Sequence, residues 1–368
     1  MKNKKITYAQ AGVNYKELDP IKKMAQDAGR ATAANLKYSG YEEVFSSRGE
    51  SAYVWKQGGI YMASVVEGLG TKNLVADEMR KITGRTYYEI IAHDTVATII
   101  NDLITVGATP LVLHAYWAVG SGEFLTDTQR MRDFISGWKR ACDIAGVSWG
   151  GGETPTLKGI VVPDTIDLGG SAVGIIKKKK YLLTDNKLKK GDRILLIKSN
   201  GINANGLSLA RAVAKGFKKG YATQIPRGQM YGEAVLQKSN IYARLVQDLQ
   251  KDNVTIHYIS NITGHGLRKL MRARHDYTYV IEKIFDPQEL FLFIQSQAHL
   301  SDFEMYQTYN MGMDYALFIP ENEVKMAQKI IKKNGFESLD AGYVESGKKQ
   351  VIIEPKKVTY AGDSLDLR

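Results

Sequence analysis

Carboxylates, amides and lysines stand beside glycines at several points along the 368-residue chain. The first group is Glu67-Gly-Leu-Gly-Thr-Lys72. Paired glycines let backbone N–H groups approach an anion, Lys72 adds a point charge, and Glu67 is a ligand type for Mg2+ on phosphate oxygens. The same string also reads as a plain turn leaving a strand. The second group is Asp94-Thr-Val-Ala-Thr-Ile-Ile-Asn101-Asp102. On a helix Asp94 and Asn101 share a face, whereas Asp102 is turned by roughly 80° and lies ~12 Å further along the axis. Direct Mg2+–O bonds are ~2.0–2.1 Å, so Asp94 and Asp102 serve two ends of a site rather than one ion. An N-cap at Asp94 and a polar face at Asn101-Asp102 are the alternative. The third group, Gly150-Gly-Gly-Glu-Thr-Pro155, brings backbone close to something, with Glu153 as its polar reporter. The fourth, Ser199-Asn-Gly-Ile-Asn-Ala-Asn-Gly206 before Leu207-Ser-Leu-Ala-Arg211, offers unpaired N–H groups at a helix start to a phosphate. Asn261-Ile-Thr-Gly-His-Gly266 and Glu304-Met-Tyr-Gln-Thr-Tyr-Asn-Met-Gly312 complete the set.

The elements that must position these groups alternate between helical and strand patterns. Asp19 to Leu36 carries an apolar stripe of Ile21, Met24, Ala25 and Ala28, with Asp19-Pro20 as its start signal. Ser51–Trp55 and Ile60–Val66 read as a hairpin joined through Lys56-Gln-Gly-Gly59. Tyr88–Val106 has helical spacing and stops at Gly107. A strand at Leu111–Val119, a helix at Thr126–Ala145 and a strand at Asp167–Ile176 follow. The lysine-rich stretch Lys177–Lys190 marks the passage between two lobes; its four consecutive lysines read as a solvated run or as a polyanion patch. Beyond it Asp192–Lys198 is a strand and Leu207–Gly216 a helix. The predicted organisation is therefore a lobe over 1–176, a passage over 177–190, a second lobe over 191–354, and a polar tail over 355–368. The class is α/β, with α+β character.

Composition narrows the function classes. Fifty Lys+Arg against 39 Asp+Glu give +11, which favours small anionic substrates over nucleic acid once a solvated basic surface is set aside. One cysteine, Cys142, excludes a disulfide framework and a Cys-rich zinc site. The start shows no apolar stretch of a secretory signal and no run spans a bilayer, so a cytoplasmic protein is expected. P-loop, dinucleotide, zincin and nucleophile-elbow signatures are missing.

Taken in order, these motifs resemble the phosphoribosylformylglycinamidine cyclo-ligase family, also called aminoimidazole ribonucleotide synthetases, from Thr7 to about Glu354. Thr7-Tyr-Ala-Gln-Ala-Gly-Val-Asn14 resembles the family's S/T-Y-x-x-A-G-V-D. Glu67–Lys72 resembles D-G-V-G-T-K, and Asp94–Leu103 resembles D-x-V-A-M-x-V-N-D-L. Gly151–Thr154 resembles G-G-E-T, and Ser199–Leu209 resembles S-S-G-x-H-S-N-G-[YF]-S-L. Asn261–Gly266 and Met305–Gly312 are similar to H-[IL]-T-G-G-G and M-[YF]-R-T-F-N-M-G. The resemblance implies a two-lobed ATP-binding fold whose N-terminal lobe carries dimerising strands beside a mixed α/β C-terminal lobe. It also implies ATP, Mg2+ and a phosphorylated small-molecule substrate, in an ATP-driven ring closure through a phosphorylated amide, performed by a homodimer. On this mapping Glu67, Asp94 and Asp102 are metal ligands, and Lys72, Asp94 and Asn203 serve the reaction. Nucleotide and phosphate contacts fall on Glu67, Gly68, Gly70, Thr71, Lys72, Asn101, Asp102, Gly151, Gly152, Glu153, Asn200, Gly201, Asn205 and Gly206.

The chain also departs from the family pattern. Glu67 replaces Asp; Asn203 and Asn261 replace histidines, which removes proton exchange there. Gln307 replaces an arginine, Ala115 an aspartate, and Pro155-Thr156 an A-E pair. Ser46-Ser-Arg-Gly-Glu50 is a thin counterpart of the family's mobile Gly-rich segment. These changes keep two alternatives in view: a paralogue using ATP on another substrate, as thiamine phosphate, selenophosphate and hydrogenase-maturation relatives do, and a silent nucleotide-binding scaffold. A mid-helix Cys142 argues against the selenophosphate chemistry.

Overall fold

A computed structural model describes residues 15–365; Thr7–Asn14, the opening motif, lies outside the described residues. The first lobe is a six-stranded sheet in the order β1-β2-β3-β6-β4-β5. Its strands are β1 (Glu42–Glu43), β2 (Tyr53–Gln57), β3 (Ile60–Gly68), β4 (Thr109–Val119), β5 (Ser148–Glu153) and β6 (Ile166–Ile176). Burial alternates along β3 and β6, so one face of the sheet is packed and the other is open. The packed face receives α3 (Tyr88–Leu103), which α4 (Thr128–Ala145) covers in turn. Nearly every residue of α3 is buried, His93, Asp94, Asn101 and Asp102 among them. A helix buried all round must have its polar side chains partnered by neighbouring elements, and those partners come from both lobes. The two remaining helices of this lobe are α1 (Tyr15–Ala31) and α2 (Lys72–Thr83).

The second lobe is a seven-stranded sheet in the order β13-β12-β9-β11-β7-β10-β8. It comprises β7 (Arg193–Lys198), β8 (Tyr258–Asn261), β9 (Tyr277–Ile281), β10 (Met313–Ile319), β11 (Ser338–Ser346), β12 (Gln350–Ile353) and β13 (Val358–Ala361). All neighbouring strands are antiparallel except β12 and β9. Its helices are α5 (Leu207–Lys215), α6 (Tyr231–Val235), α7 (Ala243–Lys251), α8 (Glu289–Ala298), α9 (Asp302–Tyr306) and α10 (Val324–Lys333). Every residue of β10 is buried, including Asp314.

Three details differ from the sequence reading. Among the described residues the first helix covers Tyr15–Ala31, so Pro20 lies inside it, and Ile21, Met24, Ala25 and Ala28 are exposed. The helix is held instead by its Gly29–Arg30 side: Arg48 donates to the Gly29 carbonyl at 3.2 Å, and the Arg30 guanidinium lies over Phe45. The Ser46–Glu50 segment is pinned to both lobes. Ser47 is buried against Val54, and Arg272 donates to the Gly49 carbonyl at 2.8 Å and to the Ser51 hydroxyl at 2.6 Å. The segment expected as a polar tail contributes an edge strand, β13, because Val358 and Tyr360 are apolar at alternate positions; the Tyr360 hydroxyl donates to the Phe303 carbonyl at 2.6 Å.

Candidate active site

Glu67 ends β3 on the packed face of the sheet, and Asp102 sits near the end of α3, which crosses that face. The two carboxyls share a hydrogen bond. Burial and the neighbouring Asp102 charge together push the Glu67 carboxyl up to about 7. From the second lobe, Asn261 at the end of β8 donates to Asp102 Oδ1 at 2.7 Å. The Lys269 ammonium faces both acids; burial and the Arg272 charge push it down to about 8. Beside it His265, in the left-handed region at φ 71°, is pushed down to about 2 by burial and by the Lys269 and Arg268 charges, so its ring is neutral. A buried carboxyl whose proton is favoured by a neighbouring carboxylate is a place where a divalent cation would replace that proton. Glu67 and Asp102 are of the ligand type that would suit Mg2+. Among the described residues no cluster of three or more His, Cys, Asp or Glu side chains stands ready to hold a metal alone.

Asp94 stands apart from that pair. Lys72, the first residue of α2, points inward and is fully buried, and its ammonium bonds Asp94 Oδ2 and the Gln237 carbonyl, the latter at 2.7 Å. The other Asp94 oxygen accepts from the Ser239 N–H at 2.8 Å. Asp94 is thus satisfied by a cation of the chain itself, and Lys72 is spent on Asp94 rather than open to a phosphate. This corrects the expectation of a three-carboxylate metal set with Lys72 as phosphate partner. The helical rise between Asp94 and Asp102 keeps them at two ends.

The partner of α3 is Gln237–Tyr242, the segment between α6 and α7, which the sequence reading passed over. Its Ser239 carbonyl meets His93 Nε2 at 2.8 Å, and Lys238 pairs with Glu89 at 2.6 Å. Asn101 accepts from the Tyr242 N–H at 3.0 Å and donates to the Asn240 carbonyl at 2.8 Å. The only signal in the sequence is a polar Lys-Ser-Asn run with no element of its own.

The Asn200–Gly206 loop is fixed by the same segment. Asn200 donates to Asn240 Oδ1 at 2.7 Å, Asn240 to the Tyr242 hydroxyl at 2.9 Å, and that hydroxyl to Asp314 Oδ1. Asp314 closes the chain by accepting from Asn203 Nδ2 at 2.8 Å. Burial pushes the Asp314 carboxyl up to about 6, against the pull of its Tyr242 and Asn203 hydrogen bonds. Asn203 therefore stands over a titratable carboxyl, although it cannot itself exchange a proton. Asn205 accepts from the Gly264 N–H at 3.1 Å, joining this loop to the Asn261–Gly266 turn. Gly206 caps α5 at φ 71°, and a Cβ there would lie 2.0 Å from the Tyr309 ring. Gly201 lies in this loop, whereas Gly68, Gly70 and Thr71 lead from β3 into α2.

Gly151, Gly152 and Glu153 are not brought to the carboxylate pair. They lie on β5, the exposed edge of the sheet. Register places Glu67, Gly170, Ala115 and Gly152 in one row across four strands, which separates Glu67 from Gly152 by ~14 Å. Near Gln307, which carries no charge, Arg268 donates to the Gln307 backbone carbonyl at 3.1 Å. Cys142 is buried within α4 and its thiol is pushed up to about 12 by burial, a structural rather than reactive cysteine.

Two α/β lobes that meet over a carboxylate pair, buried cations and a glycine-rich helix entry define a two-lobed α/β protein with a charged lobe junction. Residues 49–176 match the AIR synthase related protein, N-terminal domain, and residues 189–354 match its C-terminal domain. A phosphoribosylformylglycinamidine cyclo-ligase of Carboxydothermus hydrogenoformans is 32% identical over 302 residues, covering 79% of this chain and 83% of that one. Another, of Clostridium novyi, is 30% identical over 355 residues, covering 95% and 99%. The solved structure titled AaThiL complexed with AMPPCP and TMP aligns with a TM-score of 0.58 at 14% identity, over 84% of this chain and 89% of that one, a likeness of fold. The chain belongs to the AIR synthase family.

Proposed function

We propose that this chain is an ATP-dependent cyclo-ligase of purine biosynthesis that converts formylglycinamidine ribonucleotide to aminoimidazole ribonucleotide. The observation that carries the reading is identity near 30% to cyclo-ligases over almost the whole length of both chains, with both family domains present. In this reaction the formyl amide oxygen attacks the terminal phosphoryl group of ATP, releasing ADP. The amidine-derived nitrogen then attacks the same carbon, closes the ring and expels that oxygen as part of inorganic phosphate.

The residues suit those needs. Glu67 and Asp102 would hold Mg2+ on the triphosphate, and Lys269, with Arg268 and Arg272 nearby, would face the transferring phosphoryl charge. The Asn200–Gly206 loop at the start of α5 is the cradle for the substrate phosphate. Asn101 and the Lys72–Asp94 pair hold the lobes in register around these groups and are positioning residues. The lobe boundary falls in the lysine-rich passage, consistent with domain matches that end at 176 and begin at 189.

A homodimer is proposed through the open face of the first sheet, where Val66 (78% exposed) and Tyr116 leave apolar surface uncovered. Cytoplasmic operation fits a biosynthetic enzyme with one buried thiol. Among the described residues no helix is long and apolar enough to cross a membrane.

The mechanism is tested with substrate carrying 18O in the formyl amide. The label is expected in inorganic phosphate after one turnover; label retained in the organic product or lost to water contradicts it.

A further inference from the structure

The lysine-rich passage does more than connect the lobes. With the α7–β8 connection it encloses a cavity of about 390 Å³, within the range that holds small ligands. Lys180, Lys187 and Lys189 line it, and none of the lining residues is acidic. Lys187 is half-buried, and loss of hydration pushes its ammonium down from the usual lysine range. Its Nζ donates to the Lys180 carbonyl at 2.5 Å, and Lys180 Nζ donates to Asn253 Oδ1 at 2.8 Å. These are neutral acceptors, so the positive charge is held in place without being cancelled. Two acids of this region are engaged elsewhere: Asp192 bonds the His257 ring and the Lys189 N–H, and Asp185 is taken by Arg274; Asp252, next to Asn253, is exposed. Leu183, Val254, Ile256 and Tyr181 also line it, and Lys178 and Lys180 lie over the Tyr181 ring at 5.9 and 5.3 Å from the centroid. Lysines beside aliphatic and aromatic side chains suit an anionic head on an apolar body.

This cavity is separate from the carboxylate site. It adjoins the start of β8, whereas Asn261 at the far end of that strand touches Asp102; four residues of extended chain are ~13 Å. Its walls are nevertheless tied to α3, because Leu183 N–H donates to the Val106 carbonyl at 3.0 Å and Gln250 to the Gly107 carbonyl at 2.9 Å.

We propose that this cavity is a second ligand site, for a phosphate monoester carried on an apolar body of nucleoside size. The test titrates the full chain with adenosine monophosphate, adenosine and inorganic phosphate by calorimetry, and maps protection by hydrogen–deuterium exchange. The monophosphate is expected to bind at least tenfold more tightly than either fragment and to protect 178–189 and 250–257. Lys180→Gln with Lys189→Gln, both exposed and leaving the melting temperature unchanged, is expected to weaken it at least fivefold, while Asp102→Asn leaves this binding within twofold. Protection confined to the neighbourhood of Glu67 and Asp102, equal binding of adenosine or of inorganic phosphate, or indifference to the lysine changes overturns the proposal.

Discussion

At the scale of single residues, the junction is governed by charges that must be neutralised out of water. Lys72 and Asp94 are both fully buried and bonded to each other. Removing one partner leaves a buried charge, at a cost of about 3–5 kcal/mol. Lys72→Met is therefore expected to lose that much in urea unfolding, and Lys72→Met with Asp94→Asn to recover part of it; equal losses in the single and double variants would contradict the pairing. Asp314 gives a pH signature. Its proton leaves at about 6 in the folded chain and at about 3.9 in the unfolded one. The raised folded value means that its contribution to stability is present below about 4 and is lost as pH rises to about 6. Relative to Asp314→Asn, the natural chain should lose roughly 3 kcal/mol across that window and nothing more above it. The variant can keep its contacts, since Asn203 Oδ1 is buried without a hydrogen-bond partner and a turn of that amide would meet the new donor. Urea midpoints at stepped pH check the slope, and a flat difference would refute it. The acids Glu67 and Asp102 could be picked out from type and spacing. Lys269 and Asp314 could not: Lys269 is one of several basic residues in its segment, Asp314 lies in an otherwise apolar run, and each finds its partners far along the chain.

At the scale of elements, close approach is written into glycines. Gly107 ends the helical run of α3 at φ 82°, and a Cβ there would sit 1.8 Å from the Tyr181 carbonyl oxygen. Gly107→Ala must push the lysine-rich passage off the end of α3, and a loss of about 1–3 kcal/mol or more is expected in thermal or urea unfolding; a loss under about 0.5 kcal/mol would show that the passage does not bear on the helix. The hairpin β2–β3, helix α3 and its glycine stop were legible because local pattern and tertiary packing agree there. Pairing across lobes was not, since nothing in Lys238-Ser-Asn-Ile-Tyr242 announces that its backbone will bond the side chains of α3. The apolar stripe of α1 shows the reverse: helical period predicts the helix, but it does not decide which side is covered.

At the scale of the whole molecule, the two lobes meet at one junction, and the open sheet face is the surface proposed for assembly. If the homodimer forms through that face, Val66→Glu with Tyr116→Glu should halve the mass seen in analytical ultracentrifugation without lowering helix content, whereas an unchanged mass would place the interface elsewhere. Both family domains are present, and the junction between the two lobes carries the carboxylate pair Glu67 and Asp102. The departures at Asn203 and Asn261 are each met by a neighbouring carboxylate, Asp314 and Asp102, and Arg268 lies on the backbone of Gln307. The central claim is therefore that the chemistry survives these changes. The most direct test supplies the purified chain with formylglycinamidine ribonucleotide, ATP and Mg2+, and measures ADP and aminoimidazole ribonucleotide in the same reaction. Equal amounts of the two, with turnover cut at least 100-fold by Asp102→Asn, are expected; ADP without imidazole, or ATP bound and never turned over, would contradict it.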